Sequence, residues 1–214
     1  NFVISRNNRI LYYDCTNFFF EIEEADEFRE YGKSKENRPN PIVQMGLFMD
    51  GDGIPLAFST FPSASNEQPS MKPLEEKIIH NYGLDRFVVC TDGGLGSDSN
   101  RLFNNIEGRA FITTQSLKKL KKDEREAALS SSGWKRLGDG CSVNIQEIKS
   151  DPEKYASHVY YKIMPYSSKK VPDQMMIVTY SPKYALYQCS IREKQIERAE
   201  KMIEKGSRKK EHGN

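Results

Sequence analysis

Two aspartates are the residues of this sequence with the most chemistry in reach. Asp14 closes the run Arg9-Ile10-Leu11-Tyr12-Tyr13, and Asp92 closes Arg86-Phe87-Val88-Val89-Cys90-Thr91. A hard cation such as Mg²⁺ takes oxygen ligands and keeps several waters that a phosphate can displace. Two carboxylates at the ends of neighbouring strands would hold such an ion, and a pair of ions would activate the attacking oxygen and stabilise the leaving one in phosphoryl transfer. Either Asp taken singly is equally a residue that ends a strand and opens a turn; only the pair carries the metal reading. Gly93-Gly94-Leu95-Gly96 follow Asp92 directly. At a helix start they would cradle a phosphate through backbone N–H groups, or they simply permit a tight turn beside the aspartate, since the Lys of a P-loop is missing.

The elements around these residues must bring them together. Residues 8–16 are β-branched and aromatic and predict a strand ending at Asp14. Ile42 to Asp50 and Ile54 to Phe61 predict two further strands joined by Asp50-Gly51-Asp52-Gly53, a hairpin turn of the Asp-Gly type. A calcium loop fails there, because the later ligands and the closing Glu of an EF-hand are missing. Ser70 to Tyr82, with Leu74, Ile78 and Ile79 at helical spacing and Gly83 as its stop, predicts an amphipathic helix. Arg86 to Thr91 is a continuous apolar run that predicts a strand buried on both faces. Ser97 caps a helix from Asp98 to about Ile106, and Ala110 to Thr114 predicts another strand. Right-handed crossovers place the hairpin on one side of the first strand and leave its other edge for the strand at 86–91. Neighbouring strands are about 4.8 Å apart, so Asp14 and Asp92 would then share one space.

The fold class expected is α/β, a mixed sheet with an antiparallel three-strand meander, parallel strands and flanking helices, followed by a small β-rich insertion. Residues 1–116 form the core with both aspartates. Residues 117–190 form the insertion, with strand-like pieces at Val143 to Ile148, Val159 to Met164 and Met175 to Tyr180. Residues 191–214 form a charged helix, with Ile191, Ile196, Ala199, Met202 and Ile203 on one face, and a disordered basic tail.

Charge divides along the same line. Of 214 residues, the first 116 carry 11 Lys and Arg against 17 Asp and Glu, and the remainder 21 against 13, for a net +2. An acidic half joined to a basic half points to a cation site in one and polyanion contact in the other, although solvated charge alone produces the same split. Mean hydropathy is −0.71, and no apolar run approaches the length of a membrane span. The start, Asn1-Phe2-Val3-Ile4-Ser5, lacks the apolar segment of a secretory signal. Cys15, Cys90, Cys141 and Cys189 form no metal-binding pair with one another or with the three His, and Cys15 and Cys90 sit in apolar runs as reduced, buried thiols. The reading is a cytoplasmic protein with no membrane contact. A first residue other than Met implies removal of an N-terminal part or a piece of a longer chain.

The run Tyr12-Tyr13-Asp14-Cys15-Thr16, the loop Gly32-Lys33-Ser34-Lys35-Glu36-Asn37-Arg38-Pro39, the hairpin Asp52-Gly53-Ile54-Pro55 and the stretch Val88-Val89-Cys90-Thr91-Asp92-Gly93-Gly94-Leu95 follow one another in an order and spacing that resemble the insertion-sequence DDE transposases. The resemblance covers about residues 9–122, and Tyr180 to Lys201 is similar to a segment within that family's insertion domain. It implies a ribonuclease H-like core in which Asp14 and Asp92 match the first two acids of a triad holding two Mg²⁺ or Mn²⁺ ions. The implied partner is double-stranded DNA, as transposon ends and target, with self-association of the intact transposase. The implied reaction is hydrolysis at a transposon end, freeing a 3′-hydroxyl that then attacks target DNA. Lys33, Lys35 and Arg38 would contact phosphates or serve the loop structurally. Lys118, Lys119, Lys121 and Lys122 would contact the DNA backbone.

The departures matter as much. Where the family carries a Gly-Asn-Thr-like turn after the third strand, this chain reads Pro62-Ser63-Ala64-Ser65-Asn66-Glu67. The third acid belongs on a helix in a Tyr, Arg, Glu, Lys pattern; Glu193, Glu197 and Glu204 are candidates by type, but none sits in that pattern. The expectation is therefore a fragment that stops short of the triad and has little strand-cleaving activity alone. Two alternatives stand beside it: a non-catalytic DNA-binding or dimerising transposase remnant, and a metal-dependent phosphatase-like hydrolase. The phosphatase would need an Asp where Thr16 stands. Trp134 is read as a core anchor of the insertion in preference to a base-stacking residue.

Overall fold

The computed structural model describes residues 5–204, except residues 33, 64 and 169 and the side chain of residue 204. It divides into two compact units, residues 1–120 with 168–172, and residues 121–167 with 173–214. The first contains β1 (Ile10–Phe19), β2 (Ile42–Asp50), β3 (Pro55–Pro62), α1 (Gln68–Tyr82), β4 (Phe87–Thr91), α2 (Asp98–Phe103), β5 (Arg109–Thr113) and a 3₁₀ turn at Leu117–Lys119. The second contains α3 (Lys122–Leu129), β6 (Lys135–Arg136), α4 (Ile145–Ser150), β7 (Tyr160–Tyr166), β8 (Gln174–Tyr180) and α5 (Pro182–Glu204). No described helix is long and apolar enough to cross a membrane.

The first unit is a five-strand mixed sheet in the order β3-β2-β1-β4-β5. β1 pairs antiparallel with β2, β2 antiparallel with β3, and β1, β4 and β5 run parallel. The hairpin is closed by Asp50, whose fully buried carboxylate accepts N–H bonds from Asp52 and Ile54 at 3.0 and 2.9 Å, while Gly53 supplies the positive φ of the turn. One face of the sheet is covered by α1. Met71, Leu74 and Ile78, at helical spacing, pack with Leu11, Tyr13, Cys15, Phe48, Phe87 and Val89 from alternate strand positions. Full burial stabilises each such large side chain by about 1.5–3 kcal/mol. Tyr13 stacks on Phe48 with ring centroids 4.6 Å apart, and its hydroxyl hydrogen-bonds with Ser70 Oγ at 2.7 Å. Gly83, at φ 62°, ends α1 as its C-cap.

Several sequence expectations need correction. β1 does not end at Asp14 but runs on to Phe19, because the nine-residue β2 continues to pair with it after the five-residue β4 has stopped. β4 is not buried on both faces: Phe87 and Val89 point into the core, whereas Val88 and Cys90 are half-exposed, so Cys90 is not the buried thiol expected. α2 ends at Phe103, where Asn104 caps it.

In the second unit, β6, β7 and β8 form a three-strand antiparallel sheet. The piece at Val143 to Ile148 forms no strand, and from Ile145 it enters a helix, α4. Asn144 accepts the Gln146 N–H at 3.1 Å as its N-cap, and Ile145 and Ile148, three apart, are both buried. The terminal helix begins at Pro182, not Ile191, since proline at a helix start loses no needed N–H. Its expected apolar face is largely exposed at Ile196, Met202 and Ile203. Trp134 is buried as an anchor, with Nε1 donating to Ser130 O at 2.8 Å. The basic tail at 205–214 lies outside the described residues.

Candidate active site

The parallel ladder between β1 and β4 ends at the pair Tyr13 and Thr91, so Asp14 is the next residue on β1 and Asp92 the first residue past the end of β4. Tyr13 and Cys15 face the core under α1, and strand alternation turns Asp14 to the opposite face, where it is exposed. Its Oδ1 accepts the Cys15 N–H at 2.8 Å. Asp92 is also exposed, and its Oδ1 accepts the Gly94 and Leu95 N–H groups at 3.0 and 3.1 Å, folding the glycine loop back over the strand end.

Three elements hold this loop. Gln68 at the start of α1 donates from Nε2 to Gly94 O at 2.9 Å. Asn100 on α2 donates from Nδ2 to Leu95 O at 2.8 Å and to Gln68 O at 3.1 Å. Thr113 on β5 donates from Oγ1 to Asp92 O at 2.9 Å. Leu95 is plugged into the core, which fixes the chain between Asp92 and the N-cap Ser97. None of Gln68, Asn100 and Thr113 stands out in the sequence, because they meet only when α1, α2 and β5 are packed.

Neither carboxylate has an ion-pair partner among the described residues, and each keeps one oxygen free of hydrogen bonds. Two exposed, unneutralised carboxylates on adjoining parallel strands fit the hard oxygen-donor preference of a divalent cation such as Mg²⁺ or Mn²⁺. Among the described residues no group of three or more His, Cys, Asp or Glu is gathered as a metal cluster. Next to Asp14, burial pushes the Cys15 thiol and the Tyr13 hydroxyl upward, so both stay protonated on the core side of the strand.

The expected DNA-contacting cations meet different fates. Lys33 lies outside the described residues. Lys35 reaches back to β1, its Nζ donating to Cys15 O and its N–H to Asn17 Oδ1 at 3.1 Å. Arg38 lies over the Phe19 ring at 5.3 Å. Both therefore tie their loop to β1, a structural role that the sequence reading held open. Lys118 and Lys119 are exposed on the 3₁₀ turn of the first unit. Lys121 and Lys122 belong to the second unit, where they face Glu124 and Glu126 at 3.9 and 4.0 Å on α3. Glu193 and Glu197 are on α5 of the second unit, where Glu197 pairs with Lys201; Glu204 closes the same helix. Comparison with known proteins returns no matching family model, no matching curated protein and no matching solved structure.

Proposed function

We propose that the first unit is the core of a metal-dependent DNA phosphoryl-transfer enzyme of the insertion-sequence DDE transposase kind, with a ribonuclease H-like arrangement of its sheet. The observation that carries the reading is the placement of Asp14 and Asp92, each one residue beyond the last parallel pair of β1 and β4 and each without a counter-cation among the described residues. The antiparallel meander followed by parallel strands supports it.

On this reading Asp14 and Asp92 hold Mg²⁺ or Mn²⁺, which supplies charge neutralisation at the phosphate and a more acidic attacking oxygen. The chain's own residues do the positioning. Backbone N–H groups of Cys15, Gly94 and Leu95 orient the two carboxylates, and Gln68, Asn100 and Thr113 keep the Asp92 loop from drifting. A third carboxylate is needed to complete the set, so this chain alone binds metal but cleaves DNA poorly. A robust metal-dependent nick by the purified chain, lost in Asp92→Ala, would sink that last point.

Mn²⁺ titration followed by electron paramagnetic resonance tests the site itself. Asp14→Asn and Asp92→Asn should each weaken binding by about tenfold or more, and the double variant should remove it. Unchanged affinity in both single variants refutes the shared site. Metal binding without any DNA affinity would favour the phosphatase-like hydrolase. DNA affinity with no metal binding would favour the non-catalytic remnant.

A further inference from the structure

A cleft of about 480 Å³ opens within the first unit at the carboxyl ends of β4 and β5, directly beside the Asp92 loop. Crevices at the carboxyl ends of parallel strands are where open α/β sheets take their ligands. Its described wall carries two cations, Arg101 and Lys119, the Ser116 hydroxyl, the Gln115 amide and the backbone of the glycine loop, and no carboxylate.

The two cations differ in a useful way. Arg101 is only 8% exposed and is set in place, its Nε donating to Gly96 O and its Nη2 to Gln115 Oε1, both at 2.9 Å. Lys119 is exposed and makes no ion pair or side-chain hydrogen bond among the described residues. One charge is thus pre-organised at the wall and the other is free to close on a ligand. The floor has to be backbone: a Cβ at Gly96 would lie 2.6 Å from Thr113 Oγ1, and one at Gly93 would lie 2.9 Å from Thr114 O. Glycine is required for the loop to lie this close to β5, and its small size leaves the space above it open.

We infer that this cleft binds a backbone phosphate of a DNA strand, with its sugar, adjacent to the phosphate on which the aspartates act. The inference rests on the function proposed above. A described lining that carries two cations and no carboxylate favours an anion. The volume exceeds what a lone oxyanion fills and suits a nucleotide-sized group. Its described lining holds no aromatic side chain for stacking on a base, so the contact positions a strand without reading its sequence.

The test is titration of the full chain with thymidine 3′,5′-bisphosphate in EDTA, followed by amide chemical shifts in ¹⁵N-labelled protein. Saturable shifts are expected at Gly93, Gly96 and Ser116, unchanged in Asp14→Asn. Lys119→Gln should weaken binding about tenfold, the value of one charge-assisted contact. Because EDTA removes divalent metal, failure of the aspartate site leaves these shifts intact, whereas failure of the cleft abolishes them with Mn²⁺ binding preserved. Inorganic phosphate is the control. Equal affinity for it would overturn the assignment to a nucleic-acid backbone and leave a simple oxyanion site. Shifts that persist undiminished in Lys119→Gln, or that fall outside these loops, would overturn the site altogether.

Discussion

Glu75 offers a direct test of the packing that holds the Asp92 loop. It lies on the buried face of α1, fully shielded, and accepts a hydrogen bond from Asn104 Nδ2 at 3.0 Å, which ties α1 to the C-cap of α2. Its second oxygen, Asn104 Oδ1 and Arg109 Nε all lack hydrogen-bond partners among the described residues. Burial pushes the Glu75 carboxyl up from 4.5 to about 7; the Asn104 hydrogen bond and the Arg109 charge oppose this without cancelling it, and Glu76 adds to the rise. A proton on the free oxygen would also turn an orphaned acceptor into a donor beside Asn104.

The folded state therefore holds this proton longer than the unfolded chain does. Its contribution to stability is complete below about pH 4.5, falls as pH rises towards 7, and is flat above that. At about 1.4 kcal/mol per pH unit, the interval amounts to about 3 kcal/mol. Glu75→Gln keeps the acceptor for Asn104 Nδ2, adds a donor, and cannot ionise. Urea denaturation followed by circular dichroism should find the variant about 3 kcal/mol more stable than the parent at pH 8 and nearly equal to it at pH 4.5. Exposed carboxylates such as Asp26, held down to about 2 by Arg29, lose their stabilising effect as pH falls, and they cancel in the difference between the two proteins. A stability difference that stays constant from pH 5 to 8 would refute the buried acid.

Two further substitutions probe the two units separately. A Cβ at Gly46 on β2 would lie 2.0 Å from the Tyr13 hydroxyl and 2.8 Å from its ring, so Gly46→Ala should cost about 1–3 kcal/mol, with Tyr13→Phe recovering part of the loss in the same background; a neutral Gly46→Ala would show that the Tyr13 to Ser70 contact is not fixed. In the second unit, buried Lys162 donates from Nζ to Ala127 O and to both oxygens of Ser130 and lies 5.4 Å from the Trp134 ring. Lys162→Met should lower stability by about 1–3 kcal/mol, read as an earlier urea transition in Trp134 fluorescence, and an unmoved midpoint would show that the ammonium does not hold the end of α3.

Local patterning made much of the first unit legible. The β-branched and aromatic run at 8–16, the Asp-Gly turn at 50–53, the spacing of Leu74, Ile78 and Ile79, and Gly83 as a stop are decided by near neighbours, and each element formed close to where its residues predict. The pairing of β1 with β4 was also within reach, because few crossovers are compatible with a strand, a hairpin, a helix and a strand in that order. Where short apolar runs are ambiguous between helix and strand, the reading failed: Val143 to Ile148 is β-branched enough to resemble a strand, yet Asn144 caps the helix that starts at Ile145, α4.

What the sequence determined by itself is the pair of aspartates, the order of elements that sets their strands side by side, and the uneven distribution of charge. Tertiary structure alone decided the rest, because it depends on contacts between residues far apart in the chain. β1 continues past Asp14 because β2 outlasts β4; Lys35 and Arg38 turn to β1; Gln68, Asn100 and Thr113 converge on one loop. The cleft holding Arg101 and Lys119 exists only because glycines at 93 and 96 let that loop lie against β5, a proximity no local pattern encodes.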